Sequence, residues 1–127
     1  MPIQRPTFQR PDPPTSDGEP TRVAITLGDP NGIGPEVVLK SLDDPELMPA
    51  MTPVVIGSAH VLRVHADILG FSDLEIHVVD EVPEHVPAGK VAVLDVARTD
   101  APPVSFGAIT PDGGRLSMRA VETAVDL

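Results

Sequence analysis

The sequence predicts an α/β fold: a largely parallel sheet flanked by helices in three layers. Three observations point there. From Arg22 onward, short apolar runs of strand length alternate with segments of helical period. Helix-start and helix-stop residues stand at the junctions between them. A turn rich in Gly and Pro joins the first apolar run directly to the first helical segment.

The elements follow in order. Residues 22–27, Arg-Val-Ala-Ile-Thr-Leu, form a short apolar run closed by Gly28 and read as a buried strand. Residues 35–42 read as a helix, with Pro35 at the first helical position and Glu36 beside it. Pro45 and Pro49 end that helix and mark a connection. Residues 53–57 form a second buried strand. Ser58 is placed as the N-cap of a helix over residues 59–69, with Val61, Val64, Ile68 and Leu69 on its apolar face and Gly70 as its C-terminal glycine. Residues 74–79 alternate and predict a third strand, suited to a sheet edge. Residues 90–96 predict a fourth.

From about Asp112 the pattern turns helical again, with Leu116, Ala120, Val121, Ala124 and Val125 as one stripe. This helix ends on Val-Asp-Leu, without the Gly, basic last turn or following Pro that close most helices. In an alternating α/β chain such a helix leads into another strand, so the sequence reads as truncated. The domain assignment is therefore a leader over residues 1–21 and an incomplete α/β domain over residues 22–127. The leader holds six prolines and only Ile3 and Phe8 as sizeable apolar side chains, too little to offset its ordering entropy, so it is expected to be disordered.

Composition excludes several classes. The net charge of −10 argues against nucleic acid and anionic membranes as partners. No apolar run is long enough to span a bilayer, and the N-terminus lacks a secretory apolar core. With no Cys, disulfides and thiolate metal sites are excluded, which fits a reducing, cytoplasmic setting. With three Phe, no Trp and no Tyr, the core must be built from Val, Leu, Ile and Ala.

The most informative segment is residues 28–36, Gly-Asp-Pro-Asn-Gly-Ile-Gly-Pro-Glu. Gly32 and Gly34 permit unusual backbone angles or close approach, and Pro30 and Pro35 stiffen the turn. The segment is not a P-loop, because no Lys follows the glycines. It is not the dinucleotide fingerprint either, because Val37 stands at the third glycine position. Asp29 and Glu36 would repel a phosphate set directly on the loop, although the amides of the coming helix could face an anion. These properties alone favour a structural turn and leave a ligand loop open.

As a string, residues 24–37 resemble the opening of the 4-hydroxythreonine-4-phosphate dehydrogenase family, a strand followed by Gly-Asp/Glu-Pro-Ala/Asn-Gly-Ile-Gly-Pro-Glu/Asp. A wider resemblance is to isocitrate and isopropylmalate dehydrogenases, whose loop is shorter; the extra Pro30-Asn31 favours the first family. Residues 54–58 resemble that family's second strand, and residues 107–127 its glycine-then-helix stretch. Residues 106–113 depart from the pattern. The resemblance runs from about Arg22 to Leu127, roughly the first third of a family member.

The resemblance implies an incomplete isocitrate/isopropylmalate dehydrogenase-like domain and a specific chemistry. Family members are homodimers that oxidise 4-phosphooxy-L-threonine with NAD or NADP; the product decarboxylates on the way to pyridoxal phosphate. A divalent metal (Zn, Mg or Co) held by three histidines polarises the hydroxyl. No catalytic residue and no metal ligand of the family maps onto this chain, so neither cofactor is expected to bind it tightly and the chain alone is expected to be inactive. His60 and His65, five apart on one helix, diverge by about 140°. They are read, with His77 and His85, as surface or helix-face residues. What carries over is the loop: Asp29, Asn31, Gly32, Gly34 and Glu36 are implied to face the interdomain cleft and shape the floor of the substrate and nicotinamide site. Arg98 and Arg115 are candidate anion contacts. The alternatives are a 4-phospho-threonate dehydrogenase of the same family, a non-catalytic chain that pairs with a full-length homologue, and a remnant that does not fold.

Overall fold

The computed structural model describes residues 21–47, 51–71, 73–87 and 89–127. The predicted leader lies outside the described residues except for Thr21, which opens the first strand. Pro49 also lies outside them.

Four strands and three helices alternate much as the sequence predicts. They are β1 (Thr21–Thr26), α1 (Gly34–Leu42), β2 (Met51–Gly57), α2 (Ala59–Leu69), β3 (Glu75–Val79), β4 (Lys90–Asp95) and α3 (Pro111–Val125). The sheet is entirely parallel, in the order β1-β2-β4-β3. Pro53 is tolerated inside β2 because the β2–β4 pairing begins one residue later, at Val54 opposite Ala92. Its missing amide interrupts no bond to β4. The third strand does lie at an edge.

The core sits between the sheet and α1 and α2. Val55, Val91 and Val93 from the strands meet Val38, Leu39 and Leu42 of α1 and Leu62 and Ala66 of α2. Val54 and Ile56 point to the other side of the pleat and are also buried. Helix α3 packs against β1 and β2. Its Leu116 joins Val61 and Ala97 in a second cluster, against which Ala101 and Val104 rest.

Helix ends follow local chemistry. Ser58 caps α2, its side chain accepting a 3.2 Å hydrogen bond from the Val61 amide, and Gly70 closes the helix in the left-handed conformation at φ 80°. Thr110 caps α3 in the same way, accepting from the Gly113 amide at 3.0 Å.

Three expectations need correction. Strand β1 is not buried: among the described residues it is a sheet edge, and Thr21, Arg22 and Ala24 are exposed. The core face of α2 is Val61, Leu62, His65 and Ala66, while Ile68 is 63% and Leu69 38% exposed. Weighing residues by hydrophobicity favoured the large Ile68 and Leu69, whereas the helix turns its small Ala66 and polar His65 inward. In α3 the buried line is Gly113, Leu116 and Ala120; Val121 and Val125 face outward.

Candidate functional site

The loop between β1 and α1 emerges from the carboxyl end of a parallel strand, where open α/β sheets present their ligand crevices. Its path is set by its own side chains. Gly28 takes the left-handed conformation at φ 72°, turning the chain out of the strand. Asp29 Oδ1 then accepts a 2.9 Å hydrogen bond from the Asn31 amide, and Asp29 O accepts one from the Gly32 amide at 3.1 Å, closing a tight turn. Gly34 is required by proximity: a Cβ there would overlap the carbonyl oxygen of Leu27.

Asn31 ties this turn to a distant segment. It is buried, and its Oδ1 accepts a 2.7 Å hydrogen bond from the Ser105 amide. Its backbone oxygen accepts from the Gly107 amide at 2.8 Å, and its Nδ2 reaches Thr110 Oγ1 at 3.4 Å. The loop is also held from α2, where the buried Nε2 of His65 lies 2.7 Å from the Pro30 carbonyl oxygen and donates to it. Phe106 meets the His65 ring edge-on, with centroids 4.9 Å apart.

Together these groups border an open-sided cavity of about 410 Å³ lined by Gly32, Ile33, Glu36, His65, Leu69 and Phe106, among others, with Ile33, Leu69 and Phe106 partly exposed to solvent. Its walls are mostly apolar. Glu36 brings the one acidic side chain of the lining and is paired with Lys40 at 2.9 Å on the exposed face of α1. A flat, largely apolar ring fits such a space. No Lys or Arg lines it, so a phosphate would need its cation from elsewhere.

The five predicted loop residues therefore take different places. Asn31, Gly32 and Glu36 line the cavity, Asn31 while also accepting a hydrogen bond from the Ser105 amide. Asp29 shapes the turn and Gly34 packs on Leu27. Arg98 and Arg115 do not join them. Arg98 pairs with Asp80 at 2.5 Å and Arg115 with Asp112, all four exposed at the surface.

The histidine reading needs one correction. His60, His77 and His85 are exposed, but His65 is buried against the loop. A readable signal existed, since His65 stands four residues after Val61 and three after Leu62, the spacing of one helix face. Phe106 had no such signal, because it falls in the segment that departs from the family pattern. Among the described residues no group of three or more His, Cys, Asp or Glu could hold a metal ion. Among them too, no helix is long and apolar enough to cross a membrane.

No family model matches the chain. It is 40% identical over 109 residues to 4-hydroxythreonine-4-phosphate dehydrogenase of Prosthecochloris aestuarii, a match covering 82% of this chain and 32% of that enzyme. It is 31% identical over 106 residues to D-threonate 4-phosphate dehydrogenase of Pectobacterium atrosepticum, covering 83% and 32%. Among solved structures, 4-hydroxythreonine-4-phosphate dehydrogenase of Klebsiella pneumoniae superposes with a TM-score of 0.76 at 30% identity, covering 88% of this chain and 34% of that one. The chain thus spans about a third of the length of the relatives it matches. Over that third it is related in sequence and fold to the 4-hydroxythreonine-4-phosphate dehydrogenases.

Proposed function

We propose that this chain, as a relative of the 4-hydroxythreonine-4-phosphate dehydrogenases, is the N-terminal part of an enzyme that oxidises 4-phosphooxy-L-threonine with a nicotinamide cofactor. In this reading the oxidised product loses carbon dioxide, on a route to the pyridoxal ring. The observation that carries the reading is the loop of residues 28–36: its sequence matches the family's opening, and Gly32 and Glu36 border a cavity at the carboxyl end of β1.

The nicotinamide, when bound, accepts the hydride that leaves the substrate carbon. The chain's own contribution is positional. Asp29, Asn31 and His65 fix the loop backbone, and Gly34 lets α1 start directly against Leu27. Ile33, Leu69 and Phe106 form apolar walls that would keep water from one side of a bound ring. Glu36 borders the space as a negative charge, suited to the positive charge of an oxidised nicotinamide and unsuited to a phosphate. The described residues do not fit a metal, having no group able to hold one. The metal and the homodimer of the resembled family are thus assigned to the complete enzyme.

Relatives named for D-threonate 4-phosphate support a second reading within the same chemistry. One experiment separates the two. The chain is joined to the remaining two-thirds or so of the Prosthecochloris aestuarii enzyme, and nicotinamide reduction is followed with each substrate. Turnover of 4-phosphooxy-L-threonine is the expected result. Preference for D-threonate 4-phosphate would move the assignment to the second reading, and a folded, dimeric chimera that reduces no cofactor with either would sink both. The 127-residue chain alone is expected to show no turnover.

A further inference from the structure

The ring of His65 has two nitrogens, and the fold uses one. Nε2 lies 2.7 Å from the Pro30 carbonyl oxygen. A carbonyl can only accept, so Nε2 carries the proton. In the neutral ring that leaves Nδ1 with a lone pair, an acceptor without a hydrogen. Among the described residues nothing donates to it: the Pro30 contact is the hydrogen bond that His65 makes, and Phe106 meets the ring with an apolar edge.

Burial locates that lone pair. His65 is only 3% exposed, yet among the described residues no buried side-chain nitrogen or oxygen is left without a partner. Nδ1 therefore reaches the sliver of the ring that stays accessible. That sliver belongs to the open-sided cavity beside the β1–α1 turn, which His65 lines with Ile33, Ile68, Leu69 and Phe106. The other polar side chains of the lining are engaged, Asn31 with Ser105 and Thr110 and Glu36 with Lys40. The fold already holds the ring through Nε2, so an acceptor kept at an apolar cavity on a side chain this deeply buried is a feature for a ligand.

The lining narrows the chemistry of that ligand. A lone pair and a carboxylate on one cavity disfavour phosphates and carboxylates. Among the described residues no group of His, Asp and Glu could hold a metal ion there. The apolar walls suit a flat ring, and the lone pair calls for an N–H on it. We propose that His65 is a ligand-binding residue whose Nδ1 accepts a hydrogen bond from the carboxamide N–H of a bound nicotinamide ring. The assignment rests on the reading above that this cavity takes that ring. It gives one imidazole two tasks: Nε2 holds the motif loop, and the Pro30 carbonyl in return fixes which nitrogen is free to read the amide.

Nitrogen NMR on the 127-residue chain tests it directly. With the nitrogens isotope-labelled, the imidazole signals are read through their couplings to the ring protons, and His65→Gln identifies those of His65. At neutral pH the ring should be in the Nε2–H form, with Nδ1 a free acceptor. Nicotinamide is the probe, and 3-acetylpyridine, which has the same ring and no N–H, is its control. Nicotinamide should move the Nδ1 signal toward hydrogen-bonded values. The control should disturb the Ile33 and Leu69 methyls and leave Nδ1 in place. A ring protonated on Nδ1, an Nδ1 signal unmoved by nicotinamide, or one moved alike by both probes would overturn the assignment.

The chimeric enzyme supplies a second readout, one that a merely structural role would not move. KM is measured for NAD and for its 3-acetylpyridine analogue. His65→Leu loosens the loop and removes the lone pair together. Loosening raises both values, so only the lost acceptor shows in their ratio, which should shift against NAD by about fivefold, the worth of one hydrogen bond. His65→Gln offers Pro30 a donor and the ring an amide oxygen, and it should restore most of the ratio. An unchanged ratio in His65→Leu would reduce His65 to a support of the loop. The two readings fail separately. A chimera that reduces NAD while Nδ1 stays silent sinks the His65 assignment alone, and an Nδ1 that answers nicotinamide in a chimera that reduces nothing sinks the proposed reaction alone.

Discussion

The Nε2 of His65 sits 2.7 Å from the carbonyl oxygen of Pro30, joining the middle of α2 to the β1–α1 turn across 35 residues of sequence. Both partners are buried. Pro30 follows the exposed Asp29, so the carbonyl is the point at which the turn is fixed to α2. His65→Ala leaves that oxygen without its donor and opens a void beside Phe106. A buried unsatisfied acceptor costs about 1–3 kcal/mol, a large part of the margin of so small a domain. Urea unfolding should show a loss in that range for His65→Ala and a smaller one for His65→Gln, which keeps an N–H donor. Equal losses would mean that packing, not the hydrogen bond, sets the role of His65.

The contact between Gly34 and Leu27 predicts a different kind of sensitivity. The group that a Cβ would strike is a backbone carbonyl at the end of β1, which cannot swing aside as a side chain can. Gly57 provides the contrast, since its added Cβ would meet only the side chain of the buried Leu27, at 2.7 Å from Cδ1, 2.9 Å from Cγ and 3.0 Å from Cβ. Gly34→Ala should therefore cost at least the roughly 1–3 kcal/mol typical of overpacking. Gly57→Ala should cost less, because its overlaps are shallower and Leu27 Cγ and Cδ1 can rotate away, leaving a contact of 3.0 Å with Cβ against a much closer one with the carbonyl oxygen at Gly34. The midpoints of thermal unfolding give the order, and a reversed order would refute the argument.

How much of this was legible beforehand depends on how local the cause is. Ser58, Gly70 and Pro35 act within a turn of their own helices, so their roles could be read from neighbours in sequence, and the structure places them as caps and helix start. The parallel α/β order was readable because periodicity is also local. What escaped were effects of distant packing. The edge position of β1 depends on strand order, which no single strand encodes. The burial of His65 depends on Pro30, and that of Asn31 on Ser105 and Gly107. The five motif residues were found together as a string, yet their division into cavity lining and backbone fixing appears only when residues 105–107 are laid against the turn.

Charge on the surface should matter little. Arg98 with Asp80 and Arg115 with Asp112 are exposed pairs, each open to screening by salt. Arg98→Ala and Arg115→Ala should each change stability by less than about 1 kcal/mol. In the chimeric enzyme neither should raise KM for the phosphorylated substrate. A tenfold rise in KM for either variant would restore it as an anion contact.

Two adjacent glycines in the first turn of α3 should respond in opposite ways to the same change. In a helix interior Ala is favoured over Gly by about 0.5–1 kcal/mol, and this gain is available at both positions. At Gly114 an added Cβ meets nothing within 4 Å, so Gly114→Ala should stabilise the chain by that amount. At Gly113 the Cβ would lie 3.0 Å from Thr110 Oγ1 and 3.1 Å from Asp29 Oδ1. Neither oxygen is free to retreat: Thr110 Oγ1 accepts from the Gly113 amide, and Asp29 Oδ1 accepts from the Asn31 amide. Gly113→Ala must loosen the cap of α3 or the turn of the motif loop, and it should forfeit the gain. The difference between the two variants in urea unfolding reads the contact between α3 and the loop with helix propensity cancelled. If Gly113→Ala stabilises as much as Gly114→Ala, α3 does not bear on the loop.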